Sequence, residues 1–450
     1  MGAFLAADFP LLNVSNAPCL QVGFRRGWDS GTGKKLGSEE AKQVVADGLI
    51  HAAKQLLLKH ETGMRRFMRE ICAIPSVDGE IGAVLARVEQ EAVALGYDQI
   101  FIDSIGCLVA CMGRGSDTFL YDAHLDTVGI GDPTDWNHDP FRGWIDKDVL
   151  YARGACDTKG CIPGMIYGIA MARELGLLEG KRLIYYGSLE EQCDGQAPRV
   201  LVEVDGLRPD YVVIGEPTDM NIYHGQRGRV EIGLRAAGRS AHASMPELGE
   251  NPLYMLAQVL NRLEAHNESL GQNLDPIAAG SIAATDLHCT TASINAVPSE
   301  ATLFLDRRLG LDEELQTVLE QVRTCIPEEL QGKMAIEILR HDAPSYNGFS
   351  YPVEKVFPAW RLPEEDPFLQ AGLKTHAAVY GRPGRLGLWP ASTNGTYWMG
   401  TAGIPSLGFG PGSLNHAHGL DEQVQLRDVV QAALFYTFLP AYLPSTSPGE

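Results

Sequence analysis

The sequence predicts an α/β fold in which a mostly parallel sheet, flanked by helices, carries an inserted α+β unit. Two observations lead to this fold class. Short apolar runs alternate with helical patterns before residue 220 and again after residue 342, which is typical of parallel strands joined by helices. Between those points, strands of alternating apolar and polar residues accompany two helices. The predicted division is an irregular extension over 1–38, an α/β domain over 39–219 and 343–450, and the inserted unit over 220–342.

Each element of the larger domain is predicted from apolar periodicity and from helix start and stop signals. A helix over 38–74 has a predicted break at Glu61-Thr62-Gly63. A second helix follows the start signal Pro75-Ser76-Val77-Asp78 and ends at Gly96, because glycine suits the end of a helix. The remaining predictions are strands over 99–105, 108–112, 118–121, 182–186 and 211–214, and helices over 159–175 and 422–438.

In the inserted unit, Asn251-Pro252 predicts a helix start, since proline suits the first helical position, and this helix extends to about residue 266. The other predicted elements are strands over 228–236, 301–305 and 334–339, and a helix over 312–325.

Composition excludes several classes of protein. The 450 residues, 45% of them hydrophobic, suffice for two or three domains with sizeable cores, so a disordered, collagen-like or disulfide-scaffold chain is excluded. A formal net charge of −20 repels nucleic acids and anionic membranes. The nine cysteines form no C-x-x-C pair, the first basic residue is Arg25, and no apolar stretch approaches the ~18 residues of a membrane span. These observations predict a cytoplasmic protein with neither a nucleic acid nor a membrane as partner.

Four polar motifs carry the candidate chemistry, and three of them directly follow an apolar strand. They occupy residues 121–127, 154–160, 188–192 and 215–218. In open α/β sheets, ligands bind outside the carboxyl ends of the strands, so these motifs are expected to converge. Each motif alone is an ordinary polar feature, such as a helix N-cap at Asp157. The combination is therefore what indicates a functional site.

The motifs supply one imidazole and five carboxylates, namely those of His124, Asp126, Asp157, Glu190, Glu191 and Glu216. Clustered carboxylates repel one another, and a divalent metal pair removes that repulsion. Mixed imidazole and carboxylate ligands suit zinc, manganese or cobalt better than magnesium or calcium. Asp126 is placed to accept a hydrogen bond from the second imidazole nitrogen. Adjacent Glu190 and Glu191 point to different sides, so one is expected to bind metal and the other to act as general base.

The ordered motifs resemble the metallopeptidase superfamily of acetylornithine deacetylase, succinyl-diaminopimelate desuccinylase and carboxypeptidase G, from about residue 60 to the C-terminus. The strings over 126–131, 225–229 and 392–395 are similar to a subgroup of YgeY-type hydrolases. The resemblance implies a zinc-peptidase-like catalytic domain, with one or two metal ions. It also implies that residues 220–342 form a lid and dimerisation domain, so a homodimer or higher homo-oligomer is expected.

The resemblance also implies roles for single residues. Glu190 is expected to be the general base, with Asp126 supporting the imidazole. His418, in the string His418-Gly419-Leu420-Asp421-Glu422, is favoured over His416 as the last metal ligand. The implied ligands are His124, Asp157 as a bridge between two metals, Glu191, Glu216 and His418.

In the implied lid, His242 is expected to reach across the dimer and stabilise the oxyanion, unless it is a surface histidine. Asn295, Arg308 and the Asn394-Gly395 loop are expected to orient a substrate carboxylate. An ion pair with Asp306 is the alternative for Arg308.

The predicted function is metal-dependent hydrolysis of a C–N bond in a small molecule, such as an N-acyl amino acid or a dipeptide, with a carboxylate on the substrate. One alternative is an aminohydrolase acting on an aromatic amine, if an aromatic group of residues lines the pocket rather than the core. That group is Trp136, Tyr346, Trp389, Tyr397 and Trp398. A binding or scaffold protein without activity and a thiol enzyme are further alternatives. Cys156 is either a packed thiol or a metal neighbour.

Overall fold

The computed structural model describes residues 38–77, 79–270 and 277–443. Of the predicted extension over 1–38, only Ser38 lies within the described residues, and Cys19 and Asp78 lie outside them. The described α-helices are α1 (Ser38–Cys72), α2 (Gly82–Ala94), α3 (Cys161–Glu174), α4 (Gln196–Glu203), α5 (Pro252–Leu270), α6 (Leu315–Thr324), α7 (Pro367–Tyr380), α8 (Gly395–Trp398) and α9 (Leu426–Phe438).

The described strands, in chain order, are β1 (Gln99–Ile102), β2 (Leu108–Met112), β3 (Asp117–Asp122), β4 (Trp144–Asp146), β5 (Val149–Tyr151), β6 (Lys181–Gly187), β7 (Tyr211–Ile214), β8 (Ile222–Gln226), β9 (Gly228–Ala237), β10 (Ser281–Thr290), β11 (Glu300–Leu309), β12 (Met334–Ile338), β13 (Arg340–His341), β14 (Val353–Glu354), β15 (Val356–Phe357), β16 (Trp360–Arg361), β17 (Leu386–Trp389), β18 (Ser406–Gly408) and β19 (Gln423–Gln425).

The larger sheet confirms the predicted α/β fold. Over the described ranges its strand order is β1-β2-β6-β3-β7-β18-β8-β16, with β17 beside β8. Its centre, β6-β3-β7-β18, is parallel, whereas β1, β2 and β16 pair antiparallel at its edges. The centre is parallel because helices such as α3 cross over between its strands, as the alternating sequence pattern predicts.

Helices α3 and α9 pack against each other in the core of the larger domain, and their contact depends on glycine. A Cβ atom on Gly168 would lie 2.8 Å from the Cβ of Tyr436 and 2.9 Å from the carbonyl oxygen of Ala433. The absent side chain lets the two helix backbones approach closely. No helix among the described residues is both long and apolar enough to cross a membrane.

The inserted region has its own sheet and its own apolar core. In order, β10-β11-β9-β12 pair antiparallel, β15 joins β9, and helices α5 and α6 cover the buried face. Strand β8 belongs to the larger sheet, so the change of sheet falls between Gln226 and Gly228. Because β15 returns to pair with β9, the smaller sheet also recruits residues beyond position 342.

Two local predictions are wrong for identifiable reasons, and strand β10 is among the elements that were not predicted. Helix α1 continues through Gly63, where a Cβ would lie 2.8 Å from the hydroxyl of Tyr167, so this glycine serves close packing rather than a break. The last helix begins at Leu426, because the residues before it form strand β19, which pairs antiparallel with β5. Strand β10 escaped prediction because it is an edge strand with a mostly exposed burial pattern.

Candidate metal centre and active site

The parallel centre of the sheet brings three of the four motifs together. His124 lies two residues beyond β3, Glu190 three beyond β6, and Glu216 two beyond β7. Register pairs Asp122 at the end of β3 with Tyr186 on β6 and with Ile214 on β7, so the three strands end at one edge. The expected convergence at the carboxyl ends therefore follows from topology.

Two groups of candidate metal ligands share one carboxylate. In the first ligand group (His124, Asp157, Glu216), Nε2 of His124 lies 3.1 Å from Oδ1 of Asp157 and 3.5 Å from Oε1 of Glu216. In the second ligand group (Asp157, Glu191, His418), Nε2 of His418 lies 3.2 Å from Oδ2 of Asp157 and 3.4 Å from Oε2 of Glu191. Asp157 thus offers one oxygen to each group.

Asp126 supports the site differently from the expectation. The Nδ1–H of His124 donates to the backbone carbonyl of Asp126 at 2.9 Å, whereas the nearest carboxylate oxygen of Asp126 lies 3.4 Å away. This bond fixes the tautomer that leaves Nε2 free to bind metal. The Asp126 carboxylate instead accepts from the backbone N–H groups of Glu190 at 3.1 Å and Glu191 at 3.0 Å. Asp126 therefore holds the segment that carries both glutamates.

Burial and mutual repulsion shift the ionisation of these groups. Burial and the charge of Asp157 raise the pKa of Glu216 to about 8. Burial and the charge of Glu216 raise the pKa of Glu190 well above its usual value. Hydrogen bonds to Asp157 and Glu191 raise the pKa of His418 to about 10. A divalent cation would favour the ionised carboxylates and the neutral imidazoles, so the donor set fits a metal.

Glu190 belongs to neither ligand group, but it lines the same cavity. Its side chain is buried, and Oε2 accepts from the backbone N–H of Asn394 at 2.9 Å. This is the placement expected of a proton-transferring carboxylate beside the ligands.

The cavity, of about 360 Å³, is lined by members of both ligand groups and by residues of the smaller sheet. Arg229 on β9 and Arg308 on β11 are direct cross-strand partners, and both line the cavity. Arg308 donates to both carboxylate oxygens of Asp306, at 2.7 and 3.0 Å, so the ion pair and the cavity position coexist. Arg229 donates to Asp194 at 3.0 Å.

Arg229 is a cavity residue that the sequence reasoning missed. Residues 225–229 supported the resemblance to YgeY-type hydrolases, but no role was predicted for Arg229 itself. The alternation of β9 places Arg229 on the polar face of the strand, which was the signal available.

Asn394 and Gly395 lie beside the cavity and do not form part of its lining. Both are buried. The side-chain oxygen of Asn394 accepts from the N–H of Gly195 at 2.8 Å, and its amide nitrogen donates to Ser188 at 3.1 Å. Both polar atoms of the Asn394 side chain are therefore engaged by protein groups.

His242 and Asn295 lie together on the smaller unit, but they do not line the cavity of their own chain. His242 pairs with Ala296 in an isolated β-bridge, and the carbonyl of Asn295 accepts from the N–H of Ala243 at 2.8 Å. Both residues are exposed. Within one chain, therefore, neither is placed to act on a substrate in this cavity.

His416 and Cys156 are the two remaining candidates, and their contacts in the structure distinguish between the alternatives for each. His416 lies outside both ligand groups, and its Nδ1 is 3.4 Å from the side-chain nitrogen of Gln423. Cys156 is buried, and its thiol donates to the carbonyl of Ser413 at 3.2 Å. Burial raises the pKa of this thiol. Cys156 thus has the contacts of a packed thiol, and it belongs to neither ligand group.

Most of the aromatic group belongs to the core. Trp136, Tyr397 and Trp398 are buried away from the cavity, and Tyr346 lies beside a different pocket. Trp389 alone, of the five candidates, lines the cavity of the ligand groups.

Comparison with known proteins decides the family. Residues 120–440 match the model of Peptidase family M20/M25/M40. The chain belongs to this peptidase family. It is 33% identical over 401 residues to the uncharacterized protein YgeY of Escherichia coli K12, with 89% of this chain and 98% of YgeY covered. It is 29% identical over 275 residues to the succinyl-diaminopimelate desuccinylase of Sphingopyxis alaskensis, covering 56% of this chain and 71% of that enzyme. The predicted superfamily membership is confirmed.

Solved structures of two dipeptidases have a similar fold. The dipeptidase Dug1p of Saccharomyces cerevisiae aligns with a TM-score of 0.68 at 15% identity, covering 89% of this chain and 99% of that chain. Human carnosine dipeptidase 1 aligns with a TM-score of 0.67 at 15% identity, covering 88% and 98%. At these identities the likeness concerns the fold alone.

Proposed function

We propose that this member of the M20/M25/M40 family is a metal-dependent hydrolase that cleaves a C–N bond, the amide of an N-acyl amino acid or a dipeptide-like molecule. The observation that carries the proposal is the pair of ligand groups sharing Asp157, with Glu190 unligated beside them. A scaffold protein would have no need of this buried, mutually repelling set of carboxylates.

The first ligand group would hold one ion, the second ligand group another, and Asp157 would bridge them. Zinc, manganese or cobalt suits these imidazole and carboxylate donors. A divalent cation bound there supplies Lewis acidity, which polarises the scissile carbonyl and acidifies water.

In the proposed reaction, Glu190 takes a proton from the attacking water and transfers it to the leaving nitrogen. The new C–O bond replaces the C–N bond, so the products are a carboxylate and an amine. The N–H of Asn394 holds one oxygen of the Glu190 carboxylate at 2.9 Å, which restricts the side chain to one orientation.

Arg308 and Arg229 are the proposed anchors for a substrate carboxylate. Both residues line the cavity and belong to strands of the smaller sheet. Planar guanidinium groups recognise carboxylates through paired, charge-assisted hydrogen bonds. The cavity of about 360 Å³ suits a small molecule. With Trp389 as its one lining member of the aromatic group, the cavity favours an amide over an aromatic amine.

We also propose a homodimer in which His242 stabilises the oxyanion in the site of a second copy, and Asn295 contacts substrate there. Their exposure and their absence from the lining of their own chain's cavity support this arrangement. We also propose a reducing, cytoplasmic setting, because the eight cysteines in the described residues are free thiols. Seven of them are buried, which disfavours a thiol enzyme.

Chelator-stripped protein, reloaded with zinc, manganese or cobalt, should hydrolyse members of a panel of N-acyl amino acids and dipeptides. Glu190→Gln should lower kcat by about 10²–10⁴-fold while the bound metal content stays unchanged. Glu320→Gln, at an exposed helix position, is the control. Wild-type activity in the Glu190 variant would reject it as the base. Failure of the wild type to bind any of the three metals would favour the scaffold alternative.

A further inference from the structure

Glu422 is a buried carboxylate next to the second ligand group, and the proposed reaction gives it no role. It directly precedes β19 and is 1% exposed. It does not line the cavity and belongs to neither ligand group. Its side chain is directed instead at the loop that carries Asp157.

Both oxygens of the Glu422 carboxylate are engaged by this loop. Oε1 accepts from the backbone N–H groups of Cys156 at 2.7 Å and Asp157 at 2.8 Å. Oε2 accepts from the N–H of Gly154 at 3.0 Å and from the guanidinium of Arg153 at 2.7 Å. One carboxylate therefore fixes the backbone of the loop at Gly154 and Cys156, and also at Asp157, the residue that both ligand groups share.

The backbone of Glu422 adds a further attachment, since its carbonyl accepts from the N–H of Ala152 at 3.0 Å. The loop is thus held at its start by the main chain of Glu422 and at its end by the side chain. Arg153 supplies the positive charge that compensates the buried carboxylate.

The segment that ends at Glu422 also carries His418. His418 and Asp421 both have left-handed backbones, with φ of 59° and 52°. Asp421 fixes the segment by accepting from the N–H of Asn137 at 3.0 Å. Glu422 therefore joins two chain segments, 152–157 and 418–422, that meet where His418 Nε2 lies 3.2 Å from Asp157.

We propose that Glu422 is a positioning residue for the metal centre, which sets the placement of Asp157 relative to His418. The inference rests on the proposed function, since it presupposes that these side chains bind metal. Replacing a hydrogen-bonded partner of a metal ligand typically weakens metal affinity by about 10–100-fold. We expect an effect of this size when Glu422 is replaced.

Glu422→Gln tests the proposal because it keeps the shape but presents an NH₂ group to donors. We expect chelator competition with the stripped protein to show zinc binding weakened at least about 10-fold. The visible absorption of the cobalt-loaded variant should also differ from that of the wild type, because the ligand geometry changes.

Glu91→Gln is the matched control. Glu91 is 5% exposed and accepts from Arg87 at 2.7 Å, but it lies on α2, away from the cavity. It should lower the melting temperature while zinc affinity and the cobalt spectrum stay as in the wild type. Such a pattern separates positioning of the ligands from general loss of stability.

Glu422→Asp keeps the proposal testable if the Gln variant does not fold, since it retains the charge but shortens the reach by one methylene. It too should weaken zinc binding. Wild-type zinc affinity in either folded variant would overturn the positioning role alone. A wild-type protein that binds no zinc, manganese or cobalt would overturn the proposed function and this inference with it.

Discussion

The carboxylate of Glu190 accepts a 2.9 Å hydrogen bond from the backbone N–H of Asn394, a residue 204 positions later in the chain. Asn394 in turn donates from its side chain to Ser188 at 3.1 Å, and Ser188 donates to the buried Asp122 at 2.5 Å. The proposed base is therefore supported by a continuous set of buried hydrogen bonds rather than by one contact.

Ser188→Ala should disturb this set, because it removes the acceptor for Asn394 and one donor to Asp122. We expect the free energy of unfolding to fall by about 1–3 kcal/mol, and kcat to decrease more than KM changes. Ser406→Ala is the control, because Ser406 is equally buried and donates to the carbonyl of Ile404 at 2.8 Å outside this set. Equal losses of kcat in both variants would contradict a specific role for Ser188.

Arg308→Met should raise KM for substrates that carry a carboxylate by about 10–100-fold, since it removes a charge-assisted interaction worth about 1.5–3 kcal/mol. Steady-state kinetics with a carboxylate substrate and with its uncharged amide analogue measure the effect. The penalty should vanish for the analogue. Arg235→Met, an exposed arginine on the same β9 strand that pairs with Glu300, should leave KM unchanged. A penalty of the same size for both substrates would reject the anchor.

His242 is expected to act in the site of the other subunit, and complementation tests this. Mixing Glu190→Gln subunits with His242→Ala subunits should restore activity, because one site of each mixed dimer then receives both intact residues. Random exchange should recover roughly a quarter of wild-type activity. Each variant alone serves as the control. If the mixture stays as inactive as its components, His242 does not complete the site of a partner.

Asp103 should make stability depend on pH. Burial raises the pKa of Asp103 to about 6, although hydrogen bonds from Tyr186 and the N–H of Cys107 oppose the rise. The folded protein keeps a proton that the unfolded chain releases, so this group's contribution to stability falls as the pH rises from about 4 to 6.

Asp103→Asn should remove that slope and raise the free energy of unfolding at pH 7 by on the order of 2 kcal/mol. Urea unfolding at several pH values measures it, with the exposed Asp135→Asn variant as the control. An Asn variant less stable than the wild type at pH 7 would contradict this account.

The sequence predicted the part of the site that local pattern and topology determine. Apolar runs placed β3, β6 and β7, and parallel pairing necessarily brings their ends to one edge. For this reason, the sequence alone could predict that three residues lie close together, namely His124, Glu190 and Glu216.

Contacts between distant segments escaped prediction. Nothing near Asn394 in the sequence shows that its amide is engaged by Gly195 and Ser188. The glycine at position 63 signalled a break, but Tyr167 packs against it instead. The role of Glu422 likewise depends on a loop about 270 residues earlier, with separations of 265 to 269 in the individual bonds.

The two arginines lie on the smaller sheet, whereas most of the carboxylates follow strands of the larger one. The main chain passes between the sheets near Gly228 and again near Phe357, and the Arg229–Asp194 ion pair spans the same junction. A ligand with its anion on the arginines and its amide among the carboxylates would span this junction between the two sheets. Tight binding and correct alignment of the reacting bond would then depend on the same separation between the arginines and the carboxylates, and a molecule too short to reach both would lose both.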